Sequence, residues 1–380
     1  MRDLTDRIYS REQEIGDTRE QKLLASLQGE IQRKIEKRWR NYFLGEKQAP
    51  VAQMICTKTH VRSYSVLFEY DVNFASSLPT QQIFAKIRRN DGGFGDYDRQ
   101  HLTEEAVCRC KTEFEQLTKA FAFFAARKDG LAVVRPLDYF ADHNAIVFEK
   151  AFGHDVGRLI REQHSDLSDY LGRCGEWLRV FQNDLHQPQQ RTWKGSKFDA
   201  DLRKRMEALQ KQGVPARDLE EITTLVRAAA SSISTGNVPW SRLHGDYKPR
   251  HIWASPDSIQ VIDFGNSHEG ECFSDVAAFL VELEVSCLIN PWFNEKRILA
   301  YSEAFLNGYF DGGSLPVVLR FYMVEALLKK WERRLVRWSG NKFVGEIQRC
   351  LRWVGAAEMF ERLYLNRWFT ARVRELVKFQ

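Results

Sequence analysis

The sequence predicts an α+β chain with its strands gathered before residue 150 and helices dominating the remainder. Three observations carry this. Residues 50–90 alternate apolar and polar side chains in three short runs, Ala52–Cys56, Val66–Val72 and Gln82–Ile87, as neighbouring antiparallel strands do. From residue 154 onward apolar residues recur mostly at helical spacing. The helical part is interrupted by His244–Gly265, two short apolar runs around a Pro256-Asp257-Ser258 turn, which reads as a β-hairpin with Asp246 before it and Asp263 after it.

Residues 1–44 read as helix. Leu23, Leu24, Leu27, Ile31, Ile35 and Trp39 form its apolar stripe, and Arg33, Lys34, Lys37, Arg38 and Arg40 line the opposite face. A solvated face on a packed helix accounts for those charges. An interfacial helix touching anionic lipid or a partner is the sharper alternative.

Between the first two strand runs lies Thr57–Ser65, polar and rich in hydroxyls. We read it as a loop that could present the Ser63 and Ser65 hydroxyls and backbone N–H groups to phosphates. The glycine-rich stretch Asp91–Asp96 reads as a flexible loop instead, because no strand leads straight into it and no helix opens straight after it. Lys86 falls inside the third run between apolar neighbours, where a lysine needs an anionic partner or an edge position.

Residues 103–127 are helix, with Thr103 as N-cap, Glu104 and Glu105 in the first turn, and Phe114, Leu117, Phe121 and Phe124 as the apolar face. Glu113 and Glu115 are the candidates to pair with Lys86. Ala132–Val134 and Ala145–Phe148 add two strands. Glu149–Gly153 then reads as a linker whose backbone is available to an adenine edge.

Residues 154–236 read as helical, with a stripe of Leu171, Cys174, Trp177, Leu178 and Phe181 ending near His186, itself a packing histidine. Helices and polar linkers over 189–238 could shape an acceptor pocket. Asp275–Leu280 opens a further helix, and 296–380 reads as several more. From Arg320 onward there are roughly 14 Lys/Arg against six Asp/Glu, interleaved with Trp331, Trp338, Trp353 and Trp368. Buried Trp with a solvated basic face is one account. A surface for a phosphorylated, anionic or lipid-linked acceptor is the other.

Bulk properties narrow the class. At 380 residues, 43% hydrophobic and 28% charged, the chain has room for one large or two medium domains of a soluble globular protein. No apolar run reaches the length of a membrane span, and the charged first 40 residues show no secretory signal. The seven cysteines are scattered, and Cys108 and Cys110 lack the second pair of a zinc pattern, which fits reduced thiols in a cytosolic protein. A net charge of +5 is too mild to point to nucleic acid. The expected location is cytoplasmic, with the basic, Trp-rich end allowing peripheral contact with the inner membrane face.

The hairpin gives the chemistry. Folding it brings Asp246 and Asp263 to the same end, and phosphoryl transfer from ATP needs one carboxylate for the acceptor hydroxyl and one for a metal. In that scheme Asp246 orients or deprotonates the hydroxyl, and Asp263 binds Mg²⁺ bridging the ATP phosphates. Lys86 neutralises the phosphates and Glu113 holds Lys86. The bland account makes both Asp residues turn formers. The ordered set of Lys86, Glu113, His244-Gly245-Asp246 and Asp263-Phe264-Gly265 weighs against it.

These residues resemble the aminoglycoside phosphotransferase and choline kinase group, relatives of the protein kinases. Members carry HGDxxxxN, a hairpin ending in IDFG or IDWE, and a downstream Asp-Leu/Val-Ala. This chain has HGDYKPRH at 244–251, Val261-Ile262-Asp263-Phe264-Gly265 and Ser274-Asp275-Val276-Ala277. Glu113-Phe114-Glu115-Gln116-Leu117 is similar to the family's ExxxL helix, which favours Glu113 over Glu115. The resemblance covers roughly residues 50–310.

It implies a two-lobed protein-kinase-like fold with a five-stranded N-lobe. The expected divisions are a helical extension over 1–48, a nucleotide-binding N-lobe over 49–150 with a linker near Glu149, and a helical C-lobe over 151–380 that carries the hairpin and acceptor site. The implied activity is ATP-dependent phosphorylation of a hydroxyl on a small molecule or saccharide, with a glycan or lipid-linked sugar among the acceptors. ATP and Mg²⁺ are the implied cofactors, with Mn²⁺ as the alternative ion. Asp275 follows Asp263 too closely to leave room for a protein kinase's activation loop. The 189–238 and 296–380 stretches lack the dense acidic run an aminoglycoside acceptor would call for.

One departure matters. The family's metal-binding Asn is His251 here. Mg²⁺ prefers oxygen ligands, and imidazole suits softer metals. Either His251 ligates the ion in a changed site, or Asp263 and waters carry it alone. The third outcome is a weakened site and a nucleotide-binding pseudokinase or interaction module. The presence of Lys86, Glu113, Asp246 and Asp263 favours an enzyme.

Overall fold

The computed structural model describes residues 18–42, 51–62, 64–75, 78–89, 102–232, 236–288, 295–339 and 356–378. The chain falls into two compact units, residues 1–154 with 253–267, and residues 155–252 with 268–380.

The first unit begins with helix α1 (Thr18–Tyr42), followed by strands β1 (Val51–Arg62), β2 (Ser65–Phe74) and β3 (Gln81–Arg88). Helix α2 (Glu104–Ala125) and strands β4 (Leu131–Val133), β5 (Pro136–Phe140) and β6 (Ala145–Glu149) come next. Five of these strands make an antiparallel sheet in the order β1-β2-β3-β6-β5. The number of strands is as expected, but one member differs. The fifth strand is β5, while β4 pairs in parallel with β11 (Ile259–Val261) of the hairpin. Pro136 and Asp138 hid β5 in the sequence. Pro is tolerated at the first residue of an edge strand, because no ladder donor is needed there.

The hydroxyl-rich stretch read as a phosphate loop is also corrected. β1 runs as strand through Arg62, which pairs with Ser65, so only residues 63 and 64 separate the two strands. Threonine is β-branched and favours strand, and His60 bonds Glu69 across the ladder at 2.6 Å. Hydroxyl content was the wrong signal for a loop.

α1 belongs to the core of this unit. Leu24, Ile31, Ile35 and Trp39 share one hydrophobic cluster with Phe68, Tyr70, Val72, Ile83 and Val147 of the sheet. Burying a side chain of that size stabilises by about 2–3 kcal/mol. On its basic face, Arg38 forks onto Asp138 at 3.0 and 3.1 Å and Lys34 pairs with Asp142. Apart from Leu23, which is exposed, the apolar stripe that an interfacial helix would turn to lipid packs on the sheet. The helix expected over residues 1–17 and the loop expected over 91–96 lie outside the described residues.

The chain leaves this unit through β7 (His154–Asp155) and enters a mainly helical one, with α3 (Val156–Glu162), α4 (Leu167–Val180) and a π-turn over Phe181–Leu185. Strand β8 (Gln189–Thr192), α5 (Gly195–Lys211), α6 (Ala216–Ser231) and β9 (Asn237–Leu243) follow. β10 (Ile252–Ala254) and β11 form the hairpin. β12 (His268–Glu271), α7 (Phe273–Leu288), α8 (Glu295–Phe310), α9 (Leu319–Ser339) and α10 (Ala356–Lys378) complete the described elements.

β12, β9 and β8 form a three-stranded sheet, of which β8 falls inside the 154–236 stretch read as helical. All four residues of β8 are exposed, so it carries no apolar alternation to reveal it. The predicted stripe of α4 is confirmed: Leu171, Cys174, Trp177, Leu178 and Phe181 are all buried. His186 packs its ring edge-on against Phe181, 4.9 Å between centroids. Trp331 is fully buried and stacks on Phe369, so it is a packing residue. Trp353 and the Trp338 side chain lie outside the described residues.

α4 and α8 approach backbone to backbone. A Cβ on Gly175 would lie 2.0 Å from the Phe305 carbonyl oxygen, and one on Gly308 would lie 1.9 Å from that of Gly172. Neither oxygen can swing away, so a methyl group must push the helices apart. Gly175→Ala is expected to cost about 1–3 kcal/mol. Calorimetry should show the thermal midpoint lowered by several degrees. An unchanged midpoint would refute the close approach.

Candidate active site

In the first unit Lys86 stands on β3, and its side chain is 14% exposed. Its ammonium donates to Glu113 Oε1 at 2.6 Å and to Asp263 Oδ1 at 2.8 Å. Burial alone would lower its pKa. The charges of Asp263 and then Glu113 outweigh that and hold it above the ordinary lysine value.

Glu113 lies in the buried stripe of α2, Ala106–Cys110–Glu113–Leu117–Ala120–Phe124. That stripe is rotated from the predicted one. Phe114 is half-buried and stacks on Tyr139 instead. Glu115 is exposed and faces Lys111, so the choice between the two glutamates is settled for Glu113. Thr103 caps the helix as expected, accepting from the Ala106 amide at 3.2 Å.

Arg88 also reaches Glu113, at 3.2 Å, a contact that sequence reading missed. Two residues beyond Lys86 on one strand, it points to the same face, and that spacing was the available signal. Asp263 adopts φ +70°, a left-handed conformation that Asp tolerates better than most residues, between the end of β11 and Phe264.

Ser65 opens β2, is buried, and pairs across the ladder with Arg62 and Arg88. Ser63 lies outside the described residues. Glu149 ends β6, with its carboxylate bonded by Gln81 at 2.8 Å. Along the following linker, the amides of Glu149, Lys150 and Phe152 donate to Arg135 O, Gln82 O and Gln260 Oε1. The amide of Ala151, a residue only 6% exposed, has no hydrogen-bond partner among the described residues.

In the second unit the loop after β9 carries Asp246. Gly245 takes φ +77°, where a Cβ would be strained. The Asp246 amide donates to His244 Nδ1 at 3.4 Å. Lys248 lies in extended backbone (φ −156°, ψ 156°) and pairs with the Asp246 carboxylate at 2.5 Å. His251 is buried, with Nδ1 3.1 Å from the Asp246 carbonyl oxygen. A carbonyl can only accept, so Nδ1 carries the hydrogen in this contact.

The loop is clamped by a residue not named as a site residue from sequence. Asp275, 2% exposed in the first turn of α7, accepts from the His244 amide at 2.7 Å and the Gly245 amide at 3.0 Å. The Asp-Val-Ala motif was the signal for it.

Behind the loop, Glu282 receives Lys330 and, at 3.5 Å, Arg250. Burial would raise its pKa, but Lys330, Arg250 and Lys248 outweigh that and lower it from 4.5 to about 2. A depressed carboxyl stabilises the fold fully above its unfolded pKa and loses that contribution as pH falls through the folded one. Denaturation titrations should therefore show stability declining from about pH 4.5 toward 2, by up to about 3 kcal/mol from this residue. Glu282→Gln should flatten that part of the curve, and an unaltered slope would count against the assignment.

Comparison with known proteins agrees with this architecture. The profile of the phosphotransferase enzyme family matches residues 86–321. The chain is structurally similar to a choline/ethanolamine kinase family protein from Mesorhizobium loti, with TM-score 0.50 and 12% identity over 92% of this chain and 95% of that one. It is similar to a thermostable mutant of aminoglycoside phosphotransferase APH(4)-Ia in ternary complex with AMP-PNP and hygromycin B, with TM-score 0.50 and 12% identity over 91% and 98%. No curated protein matches the chain. The chain belongs to the phosphotransferase enzyme family and has its kinase-like, two-lobed α+β fold. No helix among the described residues is long and apolar enough to cross a membrane.

Proposed function

We propose that this chain transfers the γ-phosphoryl group of ATP to a hydroxyl of a small molecule. The observation that carries the reading is Lys86 held between Glu113 and Asp263, a cation fixed where nucleotide phosphates need neutralising. The Ala151 amide is assigned to the adenine edge, where a ring nitrogen would give a donor of this nearly buried residue its acceptor. Ser65 lies two ladder steps from Lys86, since Ser65 pairs with Arg88 and Leu67 with Lys86. Ser63 and Ser65 are assigned to the phosphates. Glu149 is assigned to the adenine edge through its main chain.

Asp246 is assigned as the base for the acceptor hydroxyl, and Asp263 as the metal ligand. A carboxylate oxygen of Asp263 suits Mg²⁺, and His251 is carried as the second candidate ligand, an imidazole nitrogen in place of oxygen. A bound ion would supply positive charge to offset that of the nucleotide phosphates. Lys86 would hold the nucleotide, and Asp246 would orient the hydroxyl and take its proton.

The acceptor is assigned to small molecules, with a saccharide hydroxyl, free or lipid-linked, favoured within that class. The hygromycin B complex shows what that similar protein binds, and the class is extended from it. Lys330, Arg372 and Arg374 of the basic C-terminal stretch are ion-paired with Glu282, Glu284 and Glu221. Those three charges give a membrane-proximal acceptor less support than the composition suggested.

Incubation with labelled ATP, divalent metal and fractionated cell extract tests the reading. Label should enter the aqueous sugar or lipid fraction. Label on protein would replace it with protein kinase activity. Nucleotide binding without transfer to any fraction would leave the pseudokinase reading, which the His251 substitution favours.

A further inference from the structure

The carboxylate that clamps the Asp246 loop is itself held. Gln182 lies in the π-turn after α4 and is fully buried. Its Nε2 donates to Asp275 Oδ2 and to the Cys272 carbonyl, both at 3.3 Å. Its Oε1 accepts from the Tyr309 hydroxyl at 2.7 Å. Carboxylate and carbonyl can only accept, so this orientation of the amide is forced. The main-chain oxygen of Gln182 accepts from Ser241 Oγ at 2.8 Å. One residue thus joins the π-turn, β9, α7 and α8, the elements around the loop.

We propose that Gln182 is a positioning residue for phosphoryl transfer, fixing the Asp275 carboxylate and through it the backbone that presents Asp246. The inference rests on the role proposed for Asp246. Asp275 receives two loop amides and the Gln182 amide. Without Gln182 the carboxylate loses the donor opposite the loop and can turn, and the His244 and Gly245 amides then lose their fixed acceptor. A buried carboxylate with fewer donors is also poorly matched to its charge. Every hydrogen bond of Gln182 lies inside the second unit, whereas Lys86, Glu113 and the Ala151 amide lie in the first. Its loss therefore falls on turnover and spares nucleotide affinity. A π-turn redirects the side chains of a helix at one point, and such turns recur at functional sites.

Gln182→Met keeps length and burial while removing both polar ends. Tyr309→Phe removes only the hydroxyl that orients the amide. Three readouts apply to each: Mg²⁺-dependent hydrolysis of labelled ATP without acceptor, AMP-PNP affinity by calorimetry, and hydrogen exchange at the His244 and Gly245 amides. For Gln182→Met, kcat is expected to fall about 10- to 100-fold, as small misplacements of reacting groups do. AMP-PNP affinity should stay within about twofold, and both amides should exchange faster. Tyr309→Phe should move the same readouts in the same direction by less.

Gln182→Met placed on Asp275→Asn should add little, because both act through one contact. A folded Gln182→Met with unchanged kcat and exchange overturns the proposal, as does an additive loss in the double variant. If Gln182→Met does not fold, Tyr309→Phe decides by the same readouts. A wild-type protein that binds AMP-PNP but neither hydrolyses ATP nor labels any extract fraction overturns the phosphotransfer reading instead, and the exchange rates at His244 and Gly245 still decide whether Gln182 holds the loop.

Discussion

Replacing Lys86 with Met is expected to remove most phosphotransfer, by about 10²–10³-fold, and to weaken AMP-PNP binding measurably. The ammonium is the cation shared by Glu113 and Asp263, and fixed charges aimed at transferring phosphoryl groups act through this kind of placement. Folding should survive. Arg88 still neutralises Glu113 at 3.2 Å, and Asp263, with its side chain 28% exposed, keeps access to water. The result therefore separates function from stability, with an unchanged thermal midpoint beside lost binding. Lys86→Arg should rescue little. A planar guanidinium cannot sit between two carboxylates in the geometry a compact ammonium takes. Full activity in Lys86→Met would remove the central support for the nucleotide site.

Asp246→Asn is expected to have the opposite signature. Turnover should fall by about 10²–10⁴-fold, the usual range for a lost general base, while AMP-PNP affinity stays within about twofold. The Asn side chain has the same shape and still accepts from Lys248, and the loop keeps its clamp through the His244 and Gly245 amides. Labelled-ATP turnover and calorimetry on the same preparation give both numbers. Loss of binding together with turnover would show that the loop had collapsed. Retained turnover would move the base elsewhere.

The pair of experiments also bears on His251. If both variants behave as stated, the departure from the family's Asn has left an active enzyme, and metal preference becomes the informative measurement. A higher rate with Mn²⁺ than with Mg²⁺ would follow from a nitrogen ligand.

Much of this was legible in the sequence because it is local. The period-two runs of β2 and β3, the N-cap of α2, the stripe of α4 and the hairpin between Asp246 and Asp263 are each set by residues a few positions apart. Thr57–Arg62 was misread because hydroxyl content was weighed above β-branching. β5 and β8 were missed because one begins with Pro and the other buries nothing.

The sequence by itself determined the family and the residue types of the site, since a Lys on an internal strand and two Asp at a hairpin are chemical statements that need no coordinates. The resemblance to the ExxxL helix favoured Glu113 over Glu115, and tertiary structure decided for it, because the two differ in the helix face that packing buries. Tertiary structure likewise decided that α1 is core, that Lys330, Arg372 and Arg374 of the C-terminal basic stretch are ion-paired, and that Asp275 and Gln182 stand behind the Asp246 loop. Those contacts join residues far apart in the chain, such as Gln182 and Tyr309, and no local pattern encodes a hydrogen bond closed only by packing four elements together.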